Sequence, residues 1–360
     1  MINCASVSLF MGPYINNYVL SELALDARFR AEGNRLIHIF PKDVENYEWV
    51  PLFREQGSTL YFVEVCPRTW RSISTFRKIF NKEHINLIHV HFGGWDIDTK
   101  IAAPTIPAVW HQRMSVNLDT CKRRFYHNLM YKVIGRYKTH HIAISDSVYQ
   151  AIQSLTNNKT YIINNGVDFS KLHLKSKAGL FNNCSLTKVL MFAFSPLGKG
   201  FDIAYRACEI INRENIRVEL DVVTQRKTNA YIEENIPQIP SWLKILPPTS
   251  SVADYFDNAD IFLSASRSEG FCNSLLESIY CGCPAIYSDI SGTRWASQFH
   301  NTFMYEVESP ESLVKAIEQC ISTPINIEDV EQNRKLAQER YSLEAWVNKV
   351  YPALMESAQM

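Results

Sequence analysis

Two glutamates, Glu269 and Glu277, are the residues of this chain whose type and spacing best suit chemistry. Glu269 lies in the turn Ser266-Arg267-Ser268-Glu269-Gly270-Phe271. The apolar run Ala259–Ser264 before that turn reads as a buried parallel strand. Leu275, Leu276, Ile279 and Tyr280 give a short helical stripe that carries Glu277. Gly282 and Pro284 stop that helix, and Ala285–Asp289 reads as the next strand. Backbone N–H groups at a helix start, here around Asn273 and Ser274, form an anion site. One carboxylate can then sit beside a ligand's reacting end, while the other accepts both hydrogens of a vicinal diol such as a ribose. A pyrophosphate between them would rest on the helix N-terminus. The pattern therefore predicts a pocket for a nucleotide sugar.

The elements that must position this pair run through the whole chain. Residues 2–10 read as a first strand, Gly12-Pro13 as a turn, Asn17–Ala31 as a helix and Arg35–Phe40 as a second strand. Further strands are expected at 60–65, 86–91, 107–111 and 140–144. His89 and His91 share one face of their strand, a spacing compatible with a metal, but no third ligand is apparent. Asp96-Ile97-Asp98 copies a short metal-binding pattern and reads as loop or helix-start acids. A polar stretch near 172–185 reads as a linker. The strand 188–194 after it leads into Gly198-Lys199-Gly200-Phe201-Asp202 and a helix over 203–214.

The stretch Ser268-Glu269-Gly270-Phe271 through Glu277, followed by Cys281-Gly282-Cys283-Pro284, resembles the Glu-x7-Glu motif of GT-B retaining glycosyltransferases of family 4, the glycosyl transferases group 1. Asn165-Gly166-Val167-Asp168 and the Lys199-Gly200-Phe201-Asp202 turn are similar to further motifs of that family. The resemblance implies an α/β chain of two doubly wound Rossmann-like domains facing a cleft. Residues 1–172 would form the acceptor-side domain and 185–341 the nucleotide-sugar domain, with a helix over 342–360 crossing back to the first. Carried onto this sequence, Glu277 would hold the ribose, and Asn273 and Ser274 would offer N–H groups to the diphosphate. Glu269, Gly270 and Phe271 would position the donor sugar. Lys199 would stabilise leaving-group charge without a metal, because that growing negative charge needs a nearby cation. His111 would contact the sugar from the first domain. Gly12 keeps only part of a turn that is richer in glycine in the family. An Arg usual five residues before the lysine is replaced by Phe194, leaving Arg267 or Arg294 as other cations.

The implied reaction needs no cofactor; its substrate is a nucleotide sugar, a UDP-sugar favoured over a GDP-sugar. The acceptor would be a glycan or a lipid-linked glycan of bacterial surface polysaccharide or glycoconjugate synthesis. Two other readings stay open: a non-catalytic nucleotide-sugar-binding protein of an assembly complex, and a Rossmann NAD-dependent oxidoreductase. The latter needs a Gly-x-Gly-x-x-Gly after strand one, which Asn3–Gly12 lacks.

With 46% apolar residues, 360 positions suffice for two α/β domains with real cores. The start of the chain lacks signal-peptide features, no apolar run approaches a membrane span, and the nine cysteines are scattered. A reduced, cytoplasmic location is expected. Residues 1–175 carry 21 Lys and Arg against 14 Asp and Glu, and the remainder 16 against 23. That asymmetry suits an anionic partner, not nucleic acid. The basic, aromatic-rich stretch 122–138, within a helix expected over 121–141, is read in two ways. It is a packed helix with a solvated cationic face, or a contact to an anionic membrane surface that makes the protein peripheral at the inner face of the cell membrane.

Overall fold

In the computed structural model, which describes residues 1–116, 120–174, 186–213, 217–249 and 251–360, the chain divides into two compact units. One is Met1–Val167 with Tyr341–Met360, the other Asp168–Arg340. Most of the linker expected near 172–185, residues 175–185, lies outside the described residues.

The first unit holds β1 (Asn3–Ser8), β2 (Arg35–Pro41), β3 (Thr59–Val63), β4 (Leu87–His91), β5 (Ala108–Gln112), β6 (Thr139–Ala143) and β7 (Thr160–Ile162). They pair in the order β3-β2-β1-β4-β5-β6-β7. The second holds β8 (Thr187–Ala193), β9 (Val218–Thr224), β10 (Leu243–Leu246), β11 (Ile261–Ser264), β12 (Ala285–Ser288) and β13 (Thr302–Tyr305), ordered β10-β9-β8-β11-β12-β13. All these pairings are parallel. Both units are therefore Rossmann-like α/β domains. In each, the strand order reverses beside the first strand, between β1 and β4 and between β8 and β11. The carboxyl ends of strands at such a reversal open the crevice where ligands bind.

Local chemistry sets these elements. All five residues of β4 are buried, as a strand covered on both faces requires. Helix Asn17–Ala31 starts where the Asn16 side chain accepts from the Tyr18 and Val19 N–H groups. The helix Leu343–Ser357 is capped by Ser342 and lies in the first unit. Its Trp346, Val347, Val350 and Leu354 pack with Leu25 and Phe29 in one apolar cluster. The core of the second unit gathers Val189, Met191, Val222, Leu263 and Ile286 from its sheet with Phe201 and Ala204 from the helix after β8.

The basic helix is shorter than expected. It is α-helical over Cys121–Asn128, widens into a π-helix over Leu129–Ile134 and stops before β6. Gly135 ends it: its N–H bonds the Met130 carbonyl at 2.7 Å, and a Cβ there would lie 2.6 Å from the Trp110 ring. β13 and the helix Ile327–Tyr341 were not anticipated, being polar or short. The eight cysteines among the described residues are free thiols. No described helix is long and apolar enough to cross a membrane.

Candidate functional site

The turns after β8 and β11 meet at the strand-order reversal of the second unit. Gly200 begins the helix Phe201–Ile211 with φ +66°. A Cβ there would overlap the Ala265 carbonyl oxygen and lie 2.9 Å from its carbon. Only glycine lets these two turns come so close. Their approach places the Lys199 ammonium against Glu269 Oε1, which also accepts from Ser266 Oγ at 2.8 Å. Burial works against the Lys199 charge, but the Glu269 carboxylate overrides it and raises the Lys199 pKa. The ammonium stays charged, with a third of its side chain exposed (33%).

Helix Asn273–Tyr280 follows, and the side chain of its N-cap residue Cys272 makes no capping hydrogen bond. The first-turn N–H groups around Asn273 and Ser274 are donors that an α-helix cannot satisfy itself, as an anion site needs. Glu277 sits one turn further on, half-buried. Phe271 is buried and stacks on Trp295 with ring centroids 4.8 Å apart. Behind Glu269, a Cβ on Gly292 would lie 2.6 Å from the Glu269 carbonyl carbon, so the 290–293 loop supports that turn by backbone contact.

The second cations are committed elsewhere. Arg267 grips both oxygens of Asp202 at 2.8 Å, pairs with Glu308 and donates to the Leu197 carbonyl. It ties the two turns together instead of standing ready for a phosphate. Arg294 pairs with Asp289. Phe194 is 39% exposed and stacks on Phe192.

The strand ends of the first unit carry a different cluster. Glu22, fully buried on helix Asn17–Ala31, accepts from Ser6 Oγ at 2.6 Å. It faces His91 Nε2 at 3.3 Å and the Arg113 guanidinium at 3.8 Å. Arg113 donates to His91 Nδ1 at 3.2 Å and to Asn165 Oδ1 at 3.3 Å. Its guanidinium is flanked by the rings of Tyr18 and Trp346, at 4.9 and 5.1 Å. His89 Nε2 and His111 Nδ1 are 3.2 Å apart. Burial, and then charge from Arg113 or a neighbouring histidine, holds His89, His91 and His111 well below the usual histidine range, so all three are neutral.

Ring nitrogens of these three histidines lie within 4.8 Å of one another, a spacing a metal could use. Both nitrogens of His91 are already engaged, and a guanidinium beside the group repels a cation. The arrangement is a partly hydrogen-bonded set of neutral imidazoles, in which His89 Nδ1 and His111 Nε2 have no hydrogen-bond partner among the described residues. His111 belongs to it: the ring is 1% exposed and stacks on Trp346. Gly12 is half-buried in the loop after β1, its carbonyl accepting from Trp49 Nε1 at 2.9 Å. Asp96 and Asp98 begin a short helix; both are buried, and Asp98 accepts from the Arg68 N–H at 2.7 Å.

Residues 188–323 match the family model of glycosyl transferases group 1. The matched segment contains Lys199, Glu269, Asn273 and Glu277. Protein CapJ of Staphylococcus aureus is 22% identical over 142 residues, 38% of this chain and 36% of its own length. The match thus spans about a third of that curated relative. Among solved structures, a glycosyltransferase from Rickettsia africae aligns with TM-score 0.77 at 15% identity, covering 99% of this chain and 98% of its own. Anabaena HepE in complex with UDP gives 0.78 at 15%, covering 99% and 100%. The lipopolysaccharide outer core galactosyltransferase WaaB gives 0.74 at 14%, covering 99% of each chain. HepE has also been solved with UDP-glucose. These likenesses establish the GT-B glycosyltransferase fold.

Sequence reading passed over Ser266, Gly292, Glu22 and Arg113. Only Glu22 left a signal: with Leu25 and Phe29 it falls on the apolar stripe of its helix, where an acid must find a partner.

Proposed function

We propose that this chain is a retaining, metal-independent glycosyltransferase of family 4. It moves a sugar from a UDP-sugar to a glycan or lipid-linked glycan acceptor in bacterial surface polysaccharide or glycoconjugate synthesis. The observation that carries this is the Lys199–Glu269 pair beside the N-terminus of helix Asn273–Tyr280, at the strand-order reversal of the segment that matches the group 1 model. The diphosphate rests on the N–H groups of Asn273 and Ser274, and Glu277 holds the ribose hydroxyls. As the bond from the anomeric carbon to the phosphate oxygen breaks, Lys199 meets the charge growing on that oxygen. Glu269, Gly270 and Phe271 place the sugar. The acceptor hydroxyl attacks the same face, and its proton passes to the departing phosphate. We leave His111 and Gly12 out of this reacting set, because the His111 ring is buried in its cluster and Gly12 anchors a loop. UDP is favoured because the neighbour HepE binds UDP and UDP-glucose. A lipid-linked acceptor puts the protein in the cytoplasm, at the inner face of the cell membrane.

Phe194, where the family usually has an Arg, favours a second reading: a protein that binds nucleotide sugar without turning it over. One experiment separates the two. Thermal stability is measured with a panel of nucleotides and nucleotide sugars in EDTA, for the parent and Glu277→Ala, followed by a turnover assay with the donor that binds. A ligand at 100 times its Kd adds about 2.7 kcal/mol. Stabilisation by a UDP-sugar, lost in Glu277→Ala, supports the pocket, and hydrolysis or transfer of that sugar supports the enzyme. Stabilisation by none, or only by a nicotinamide dinucleotide, refutes both.

A further inference from the structure

No side chain of the helix Cys121–Asn128 is fully buried: Tyr126, His127 and Asn128 are half-buried, and residues 121–125 are exposed. Such a helix gains little stability from a core, so its exposed apolar residues need another reason to be there. Phe125, Leu129, Val133 and Tyr137 are spaced four residues apart and all face solvent, Phe125 at 71% and Val133 at 66% exposure. On a regular α-helix each step of four residues turns the line by about 40°. The π-helix over Leu129–Ile134 has wider turns and brings Val133 back toward the line of Phe125 and Leu129.

Cations flank that line. Lys122, Arg123, Arg124, Lys132 and Arg136 are exposed, and residues 121–138 contain no acid. A second segment joins them. Arg68, in the loop before helix Trp70–Lys82, lies over the Tyr126 ring at 4.6 Å and donates to its hydroxyl at 2.9 Å. Trp70, two residues on, is 71% exposed. Exposed aromatic and aliphatic side chains between cations suit an interface where one layer is apolar and the next is anionic.

We infer that this surface docks on an anionic lipid bilayer. Phe125, Leu129 and Val133 enter the headgroup layer, and Lys122, Arg123 and Arg124, with Arg68 from the neighbouring loop, meet lipid phosphates. The inference deepens the proposed function by naming how a lipid-linked acceptor is approached, and rests on that reading only for the location. Binding to lipid itself needs no donor sugar.

The test is co-sedimentation of the full chain with phosphatidylcholine vesicles and with phosphatidylcholine–phosphatidylglycerol vesicles, at low and high salt. The protein is expected to pellet with the anionic vesicles alone and to be released by salt. Each cation near the surface contributes about fivefold to partitioning, so Lys122→Gln/Arg123→Gln/Arg124→Gln is expected to lose on the order of a hundredfold. Phe125→Gln/Leu129→Gln/Val133→Gln is expected to weaken binding and make the remainder wholly salt-sensitive. These side chains are exposed, so both variants are expected to keep the parent Tm. Equal binding to both vesicle types, binding to neither, or unchanged binding of the cation variant overturns the proposal. Unchanged binding of the apolar variant overturns insertion. Because Glu277→Ala lies outside this surface, its vesicle binding is expected to equal the parent's, which separates failure of the lipid proposal from failure of the nucleotide-sugar reading.

Discussion

Gly200→Ala tests whether the contact between the two turns builds the site. Two costs apply. The first is the backbone: at φ +66° an L-residue loses about 1–2 kcal/mol. The second is the collision. The new methyl group would overlap the Ala265 oxygen and stand 2.9 Å from its carbonyl carbon, and this neighbour is backbone, with no flexible tip to swing aside. Overpacking of this kind costs about 1–3 kcal/mol. Gly33→Ala isolates the first cost, since Gly33 has φ +71° with nothing within 4 Å of a Cβ. Urea unfolding of both variants is expected to show Gly200→Ala as the weaker by about 1–3 kcal/mol. The functional effect should be larger. Parting the turns moves Lys199 relative to Glu269, and a displacement of about 1 Å at a reacting group costs on the order of 100-fold in rate. Equal losses in the two variants, or a Gly200→Ala protein with parent-like donor turnover, would refute the reasoning.

Lys199→Ala is expected to lower kcat by about 100- to 1000-fold with KM little changed, and to lower stability by leaving Glu269 without its cation. Adding Glu269→Gln to that variant should restore stability in urea and leave the rate low. Acid should weaken the fold early. His89, His91 and His111 are held neutral by burial, as is His141, whose pKa is pulled down to about 3. In the unfolded chain each takes a proton near pH 6.5. Their stability is therefore complete above that pH and is lost as pH falls toward the folded values, at about 1.4 kcal/mol per histidine per pH unit. Glu22, Asp96, Asp98 and Asp221, all held up by burial, act in the opposite direction and offset part of this loss, while the partly buried His127 and His140 add to it. Tm is expected to fall from pH 7 to pH 5, because the lowered histidines outnumber the raised carboxyls, and a Tm that rises over that range would contradict the buried neutral cluster.

The unit around Glu269 was readable because it is local. The strand, glycine turn, helix and second strand around Glu269 follow one another within thirty residues, and apolar runs with Gly282 and Pro284 mark their ends. The Lys199–Glu269 pair was not readable as a pair. Its members lie seventy residues apart and meet only because β11 returns to the side of β8, which depends on sheet order. The two arginines misled for a related reason. Arg267 looks available in the sequence, and only the fold brings Asp202 and Glu308 to it. Glu22 and Arg113 were invisible as partners because each comes from a different element, and only strand packing puts both beside His91. The shortened basic helix turned on one glycine held against Trp110, a contact no periodicity reveals.

The first unit is closed by residues from the far end of the chain. Leu25 and Phe29 find Trp346, Val347, Val350 and Leu354 only after more than three hundred further residues have been made. The second unit is one unbroken stretch, Asp168–Arg340. The order of synthesis is thus not the order of completion. Although domains made first usually fold first, here the segment made second can settle while the first still exposes the apolar side of helix Asn17–Ala31. During that interval the nascent chain exposes apolar surface that favours aggregation. A chaperone that shields this helix until residue 354 emerges would therefore raise the yield of native protein.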